Sequence, residues 1–333
     1  MTKIAVMGAG SWGTTFAKVL ADAENEVILW ARREDVVEDI NEHHRNGDYL
    51  PGIDLPVGLT ATLDAGQALA DAEQVYIAVP SSSLRANLET WGPLIPKDAI
   101  VVSLMKGVEQ GTGLRMSEVI EQVTKFPKTR IAVVSGPNLS GEIALEQPTA
   151  SVAACTSPDT AAAVARACTN DYFATFTNKD VIGTEFGGIL KNLIAVAIGI
   201  VNGVGYGENT KASIMTRGLA EISRFAVAYG ARPQTMVGLA GLGDLIATSE
   251  SPLSRNHKAG EMLGKGFSKR EVLKRLNQTA EGLNSVAPIL ELAAAKGVRM
   301  PIVEQVQLVI EGKMKPKDIA PHLMGEDEEP QGE

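Results

Sequence analysis

A short apolar run, Ile4–Met7, leads without a break into Gly8-Ala9-Gly10-Ser11-Trp12-Gly13 and then into an amphipathic stretch, Thr14–Ala23. A G-x-G-x-x-G turn gains its meaning from this strand–turn–helix setting. The first glycine permits the tight turn, the second lets backbone approach a pyrophosphate, and the third lets helix and strand pack closely. Phosphates would rest on the free N–H groups and positive dipole at the helix N-terminus. Gly8, Gly10 and Gly13 are therefore expected to cradle a dinucleotide.

The rest of the first half fits such a start. Strand-like runs at Glu26–Trp30, Gln74–Val79, Ala99–Leu104, Arg130–Ser135 and Ser151–Cys155 alternate with helical patterns at Asp35–Asn46, Ser83–Leu94 and Leu114–Val123. Alternation of this kind predicts an α/β domain with a parallel, doubly wound sheet, Rossmann-like in plan. After Asp180 the strand signal stops. Helical patterns follow at Gly183–Asn202, Thr210–Tyr229, Arg255–Leu263, Lys269–Asn277, Ser285–Lys296 and Ile302–Glu311, and Ser268 with Glu271 has capping-box spacing. The expected organisation is a nucleotide-binding domain over 1–180, an all-α domain over 181–324 and an acidic tail over 325–333.

Charge and composition exclude several classes. The chain has 333 residues, ample for two domains, and a net charge of −9. Five acidic residues lie in Glu326–Glu333, and without them −4 remains for the body. No basic face for nucleic acid is implied. The tail reads as a solvated end. Cys155 and Cys168 have no metal-binding or redox spacing and read as buried thiols. No ligand cluster calls for a metal. The N-terminal residues lack the pattern of a signal peptide, and Lys191 and Asn192 break the most apolar segment, so a cytoplasmic protein without membrane insertion is expected.

The end of the second predicted strand reads the adenosine ribose in this fold, acidic for a 2′-hydroxyl and arginine for a 2′-phosphate. Here the run is Leu29-Trp30-Ala31-Arg32-Arg33-Glu34. Two guanidinium groups predict a preference for NADPH over NADH, NADH remaining usable, with surface pairing to Glu34 or Asp35 as the alternative role.

Polar residues also stand where apolar ones are expected. Lys191 and Asn192 interrupt a helix that is apolar on nearly every face. A buried lysine has a depressed pKa and can serve as an acid or base, unless it snorkels out or pairs with a buried carboxylate. Gly241-Leu242-Gly243-Asp244 supplies a carboxylate from a glycine-rich bend, and Thr248 follows with a hydroxyl. In Ser251-Pro252-Leu253-Ser254-Arg255-Asn256, Ser254 reads as an N-cap, and the helix start with Arg255 and Asn256 forms a seat for a phosphate. His257 is expected to face solvent. Met105-Lys106-Gly107 and Ser135-Gly136-Pro137-Asn138 fall at C-terminal ends of predicted strands, where ligands collect in open α/β sheets.

Taken in order, GAGSWG at 8–13, Asn41-x-x-His44 with Tyr49-Leu50-Pro51-Gly52, Lys106-Gly107, Ser135-Gly136-Pro137, Glu142, Pro148-Thr149-Ala150, Leu190-Lys191-Asn192, Gly241-Leu242-Gly243-Asp244, SPLSRN at 251–256 and Ala280-Glu281-Gly282 resemble the bacterial NAD(P)-dependent glycerol-3-phosphate dehydrogenases. The resemblance implies an enzyme that interconverts sn-glycerol 3-phosphate and dihydroxyacetone phosphate and supplies glycerol 3-phosphate for phospholipid synthesis. It implies a homodimer, with Lys191 as the proton acceptor. Lys106, Gly136, Asn138, Lys191, Asp244, Ser254, Arg255 and Asn256 would surround the substrate. Ser11, Trp12, Arg32, Arg33, Lys106, Ser140, Arg255, Thr279 and Glu281 would contact the cofactor. The chain departs from the family pattern at Asn138, Leu139 and Gly141. The competing readings are another β-hydroxyacid-type dehydrogenase and a non-catalytic NADPH sensor. The phosphate seat weighs against the first, the buried lysine with its carboxylate against the second.

Overall fold

The computed structural model describes residues 1–276 and 281–320. The expected tail at 325–333 and the cofactor contact from Thr279 lie outside the described residues.

Fifteen α-helices and eight strands are described. The first part runs β1 (Lys3–Met7), α1 (Ser11–Asp22), β2 (Glu26–Trp30), α2 (Glu34–His43), β3 (Leu59–Thr62), α3 (Ala65–Leu69), β4 (Gln74–Ile77), α4 (Leu84–Trp91) and β5 (Ile100–Ser103). It continues through α5 (Met116–Thr124), β6 (Ile131–Ser135), α6 (Ser140–Ala144), β7 (Thr149–Ala154), α7 (Pro158–Cys168) and β8 (Phe173–Asn178). From Val181 onward the described chain is helical: α8 (Val181–Val204), α9 (Glu208–Ala228), α10 (Pro233–Met236), a π-helical turn (Leu239–Gly243), α11 (Asp244–Glu250), α12 (Arg255–Gly264), α13 (Lys269–Leu276), α14 (Glu281–Ala295) and α15 (Pro301–Ile310).

The strands form one sheet in the order β3-β2-β1-β4-β5-β6-β7-β8. The chain moves outward one way from β1 to β3 and then jumps back to β4, so the switch point lies between β1 and β4, where open α/β sheets take their ligands. Successive strands are apolar on both faces, because helices cover both. Phe16, Leu20, Val27, Leu29 and Tyr76 fill one side; Met7, Leu88, Trp91, Val101 and Ile120 fill the other.

One expectation needs correction. The sheet is not parallel throughout, since β7 runs antiparallel to β6, with Ser135 opposite Val152. The link between them carries only α6, five residues long. Such a helix rises about 7.5 Å, too little to carry the chain back across a strand of about 17 Å. The chain therefore re-enters at the edge it left, which brings Ser151 beside Ser135.

α8 is the axis of the helical part. Residues from Gly183 to Val201 are buried, around a cluster that includes Phe186, Ile194, Phe225, Leu245 and Val303. By length and composition alone α8 could cross a membrane, although Lys191 and Asn192 break its apolar run, yet most of it is buried inside the fold. Asp180 starts the helix, its carboxylate accepting from the Gly183 N–H at 2.8 Å and the Arg232 N–H at 2.7 Å.

α12 crosses α8 at backbone contact. Gly199 and Gly203 of α8 face Gly260 and Gly264 of α12, and a Cβ on Gly260 would lie 2.1 Å from the Val196 carbonyl oxygen. Spacing of small residues four apart lets two helices approach this closely. The expected capping box also forms, with the Ser268 N–H donating to Glu271 Oε2 at 2.8 Å and the Glu271 N–H to Ser268 Oγ at 3.4 Å.

Two buried acids tie elements together. Glu185 of α8 accepts from Ser117 N at 2.9 Å, from Ser117 Oγ at 2.6 Å and from Arg115, so a carboxylate of the helical part caps α5 of the sheet part. Glu221 of α9 accepts from the Ile302 and Val303 N–H groups at 2.9 and 3.1 Å, capping α15. Cys155 and Cys168 are free and buried.

Candidate active site

The glycine-rich turn sits at the switch point. Gly8 has φ +124°, where L side chains rarely go, and a Cβ there would press on the Ala78 carbonyl at 2.9 Å. On Gly13 a Cβ would collide with the Gly8 carbonyl at 1.8 Å, whereas nothing lies within 4 Å of the Cβ position at Gly10. Two glycines are thus required by the fold, and the third opens space in front of the α1 N-terminus. Gly10 itself is the N-cap of α1 and offers no side-chain cap, so the first amides of the helix are left for a ligand. This cradle fits a dinucleotide pyrophosphate.

Ser11 opens α1 and is half-buried. Trp12 turns its indole inward and donates to the Leu104 carbonyl at 3.1 Å. Ser140 opens α6, and its carbonyl accepts from Thr15 Oγ1 at 3.4 Å. Beneath the turn, buried Asn46 donates to the Ala9 carbonyl at 3.1 Å and to Thr14 Oγ1 at 2.8 Å. Arg32 and Arg33 emerge exposed after β2. Arg33 is paired with Asp35 and with Asp48 at 2.7 Å, so the alternative weighed for these residues holds in part.

The expected chemical residues gather where the ends of β5 and β6 face α8. Lys191 Nζ donates to Asp244 Oδ1 at 2.6 Å and to Thr248 Oγ1. Lys106 Nζ donates to the other carboxylate oxygen, Asp244 Oδ2, at 2.6 Å and to the Gly136 carbonyl at 3.0 Å. Asp244 is 1% exposed and Lys191 6%. Each ammonium spends two of its three N–H donors on the protein and keeps one.

Several local features produce this meeting. The π-helical turn delivers Asp244 at the head of α11, with the Asp244 N–H shared between the Gly241 and Leu239 carbonyls; such turns favour functional sites. Gly187 of α8 lies against the Ala240 carbonyl, and Gly188 against Ser135 Oγ and the Lys106 stem, so any side chain there would push both away. Thr248 stands four residues beyond Asp244 on α11, hence on the same face.

Burial pushes the Lys191 ammonium down to about 8, the Asp244 carboxylate opposes this, and the neighbouring Lys106 charge adds to it. Lys191 can therefore be charged or neutral near physiological pH. It does not snorkel; it pairs with the buried Asp244 carboxylate, as the alternative reading held, and its pKa is depressed all the same.

A second group of residues closes the other side. Ser254 caps α12, its Oγ accepting from His257 N at 3.2 Å, and the opening amides of the helix belong to Arg255 and Asn256. Arg255 is exposed and has no hydrogen-bond or ion-pair partner among the described residues. The Asn256 carboxamide is partly committed: it donates to Asn192 Oδ1 at 2.9 Å and accepts from Gly282 N at 3.0 Å, tying α12 to α8 and α14. Glu281 opens α14, where burial raises its carboxyl and the charges of Arg255, Lys106 and Lys191 pull it back. Asn138 donates to Ser151 Oγ at 3.2 Å, while its buried Oδ1 has no partner. His257 is half-buried, not solvent-facing, because it lies against Asn202 of α8 at 3.5 Å.

The residues overlooked in the sequence are Asn46, which underpins the glycine turn, and Glu185. Thr248 was visible as a hydroxyl, and its i,i+4 relation to Asp244 is the signal that pairs them. Among the described residues no group of acidic, histidine and cysteine side chains could hold a metal ion.

Comparison with known proteins meets this geometry. The model of the NAD-dependent glycerol-3-phosphate dehydrogenase N-terminus matches residues 3–161, and that of the C-terminus of the same enzymes matches residues 180–321. A glycerol-3-phosphate dehydrogenase [NAD(P)+] of Leifsonia xyli is 63% identical over 328 residues, covering 98% of this chain and 89% of that protein. Its counterpart from Thermobifida fusca is 52% identical, covering 99% of each. The crystal structure of a glycerol-3-phosphate dehydrogenase from Coxiella burnetii superposes with a TM-score of 0.90 at 33% identity, covering 97% of this chain and 98% of that one.

Proposed function

Because the chain belongs to the family of NAD-dependent glycerol-3-phosphate dehydrogenases, we propose that the Lys191–Asp244–Lys106 constellation is its catalytic centre. The enzyme interconverts sn-glycerol 3-phosphate and dihydroxyacetone phosphate with NAD(P). The observation that carries the residue assignment is one buried carboxylate shared by two lysines, one of them tuned to about 8.

A bound nicotinamide would supply the hydride acceptor or donor for C2 of the substrate. In the oxidative direction neutral Lys191 takes the proton of the C2 hydroxyl. In the reductive direction the Lys191 ammonium aims its free N–H at the ketone oxygen and gives that proton up as the alkoxide forms. Asp244 and Thr248 hold Nζ in place for both. The free donor of Lys106 meets a second substrate oxygen. Arg255, with the α12 amides and the remaining N–H of Asn256, grips the phosphate, so that C2 is presented in a fixed pose, a proximity effect. Ser254 acts through its cap on the same helix start. Gly136 and Asn138 wall the substrate from the sheet side.

Gly8, Gly10, Ser11, Trp12 and Gly13 would hold the cofactor, and Lys106, Ser140, Arg255 and Glu281 would contact it, with Thr279 carried over from the family pattern. Arg32 and Arg33 receive the 2′-phosphate, giving NADPH the advantage over NADH. We read the division at residue 180 as the border between cofactor and substrate domains, which leaves the site in the cleft between them. The enzyme is proposed to act in the cytoplasm as a homodimer, and its glycerol 3-phosphate to supply phospholipid synthesis.

An absorbance assay at the NADPH band tests the reaction. Dihydroxyacetone phosphate should drive rapid oxidation of NADPH, and unphosphorylated dihydroxyacetone should not. Equal rates with both would remove the phosphate role from Arg255, and no rate with either would overturn the assignment of the site.

A further inference from the structure

The two arginines beyond β2 are not equivalent. Arg33 uses Nε and Nη2 to grip Asp35, Nε meeting Oδ1 at 3.0 Å, and Nη2 also meets Asp48 Oδ2 at 2.7 Å. The Tyr49 hydroxyl adds a further contact to the same guanidinium. Arg32, one residue earlier, has no such carboxylate partner among the described residues. Every group in the cluster is exposed, so the balance is set by charge rather than by burial.

Asp48 is not there by the drift of a free loop. It follows α2, and the chain around it is pinned on both sides. The Gly47 N–H donates to Asp39 Oδ2 at 2.9 Å, and buried Asn46 bonds to the Ala9 carbonyl at 3.1 Å and to Thr14 at 2.8 Å. Asn46 thus joins the segment bearing Asp48 to the turn that cradles the pyrophosphate. The Asp48 carboxylate is thereby held at a set place beside the Arg33 guanidinium.

We infer that Asp48, together with Asp35, is a specificity-determining residue that restrains the preference for NADPH by occupying Arg33. The inference rests on the reading of Arg32 and Arg33 as the 2′-phosphate pair. A 2′-phosphate must take Arg33 from its carboxylates, or lie beside them and be repelled. A 2′-hydroxyl meets neither cost. The two acids therefore narrow the gap between the two cofactors, and one arginine serves the phosphate freely where two are present.

Steady-state reduction of dihydroxyacetone phosphate with NADPH and with NADH tests this. Asp48→Asn keeps the shape and removes the charge. It should raise kcat/KM for NADPH about two- to fivefold, with NADH efficiency unchanged, as expected for one exposed charge. Asp35→Asn should act in the same direction. The gain should shrink at about 0.5 M salt, where exposed charges are screened. An Arg33→Ala variant separates the two layers of the argument. A fall in NADPH efficiency in Arg33→Ala, with no gain in Asp48→Asn, overturns the role of the acids and keeps that of the arginines. Unchanged NADPH efficiency in both Arg32→Ala and Arg33→Ala overturns both.

Discussion

Replacing Asp244 by asparagine removes one charge from between two ammonium groups and should move the pH at which the enzyme stops reducing its substrate. Lys191 Nζ lies 2.6 Å from Asp244 Oδ1, and the Lys106 ammonium is equally close to Oδ2. At an effective dielectric of about 20 the first pair alone is worth roughly 6 kcal/mol, an upper bound. An opposite charge at this range commonly holds a pKa up by about 1–3 units. With the carboxylate present Lys191 titrates at about 8. Without it, burial and the Lys106 charge act unopposed, and a value of about 6 follows from the middle of that range. At pH 7.5 the protonated fraction of Lys191 then falls from about three-quarters to about one in thirty, some 25-fold. Reduction of the ketone needs that proton, so kcat/KM for dihydroxyacetone phosphate should drop by a similar factor at pH 7.5 and recover near pH 5.5. The oxidative direction, which needs neutral Lys191, should keep more of its rate at low pH. The assay is initial rates of NADPH oxidation from pH 5.5 to 9 for both proteins. A break that stays near pH 8 in Asp244→Asn would refute either the role of Lys191 as the acid or the control of its charge by Asp244.

Lys191→Ala should lower kcat by at least about a hundredfold, the usual contribution of a positioned acid or base, with NADPH affinity by fluorescence within a few-fold; surviving turnover would exclude Lys191. Arg255→Ala should chiefly raise KM for dihydroxyacetone phosphate, and an unchanged KM would move the phosphate elsewhere. Gly260→Ala places a Cβ 2.1 Å from the Val196 carbonyl and should cost about 1–3 kcal/mol in urea unfolding, while also lowering activity through α12. Glu221 is raised to about 7 by burial against an ordinary value near 4.5. The folded state then holds its proton more tightly than the unfolded chain, so this group's contribution to stability is greatest at about pH 4.5 and declines by up to roughly 3 kcal/mol as pH rises to about 7. The stability difference between wild type and Glu221→Gln, followed by urea titration, should therefore vary with pH in that window and be flat above it.

The legible parts of the fold were those buried on both sides. β2 lies where its apolar run predicts, and the six interior strands are all present with small shifts at their ends. The two strands that escaped notice, Leu59–Thr62 and Phe173–Asn178, are the two edges of the sheet. An edge strand needs no continuous apolar run, and in Phe173–Asn178 only Phe173 is buried, with threonine at two of the other positions. The turn of β7 was hidden for another reason: strand direction depends on the length of the connection, and α6 is too short to announce itself by periodicity. In the site, Lys191 and Asp244 were visible as polar residues in apolar or glycine-rich company. Their distance depends on a contact across 53 positions of the chain, and the sharing of Asp244 with Lys106 on one across 138. The pairing of Arg33 with Asp48 was likewise out of reach, since only the fold brings the two together.

The glycine crossing of α8 and α12 settles where tolerance to change resides in this enzyme. Contact between the two helices is made by main chain on main chain, and the Asn192–Asn256 bond follows at one end of it. Leucines and isoleucines elsewhere in the helical core can be exchanged for one another without altering that separation, because glycine main chain sets it at the crossing. The distance from Lys191, the proposed proton carrier, to α12, the proposed phosphate seat, is thereby insulated from the slow drift of core composition. A lineage can retune its stability by repacking while the span of its substrate, three carbons and a phosphate, stays written in four glycines.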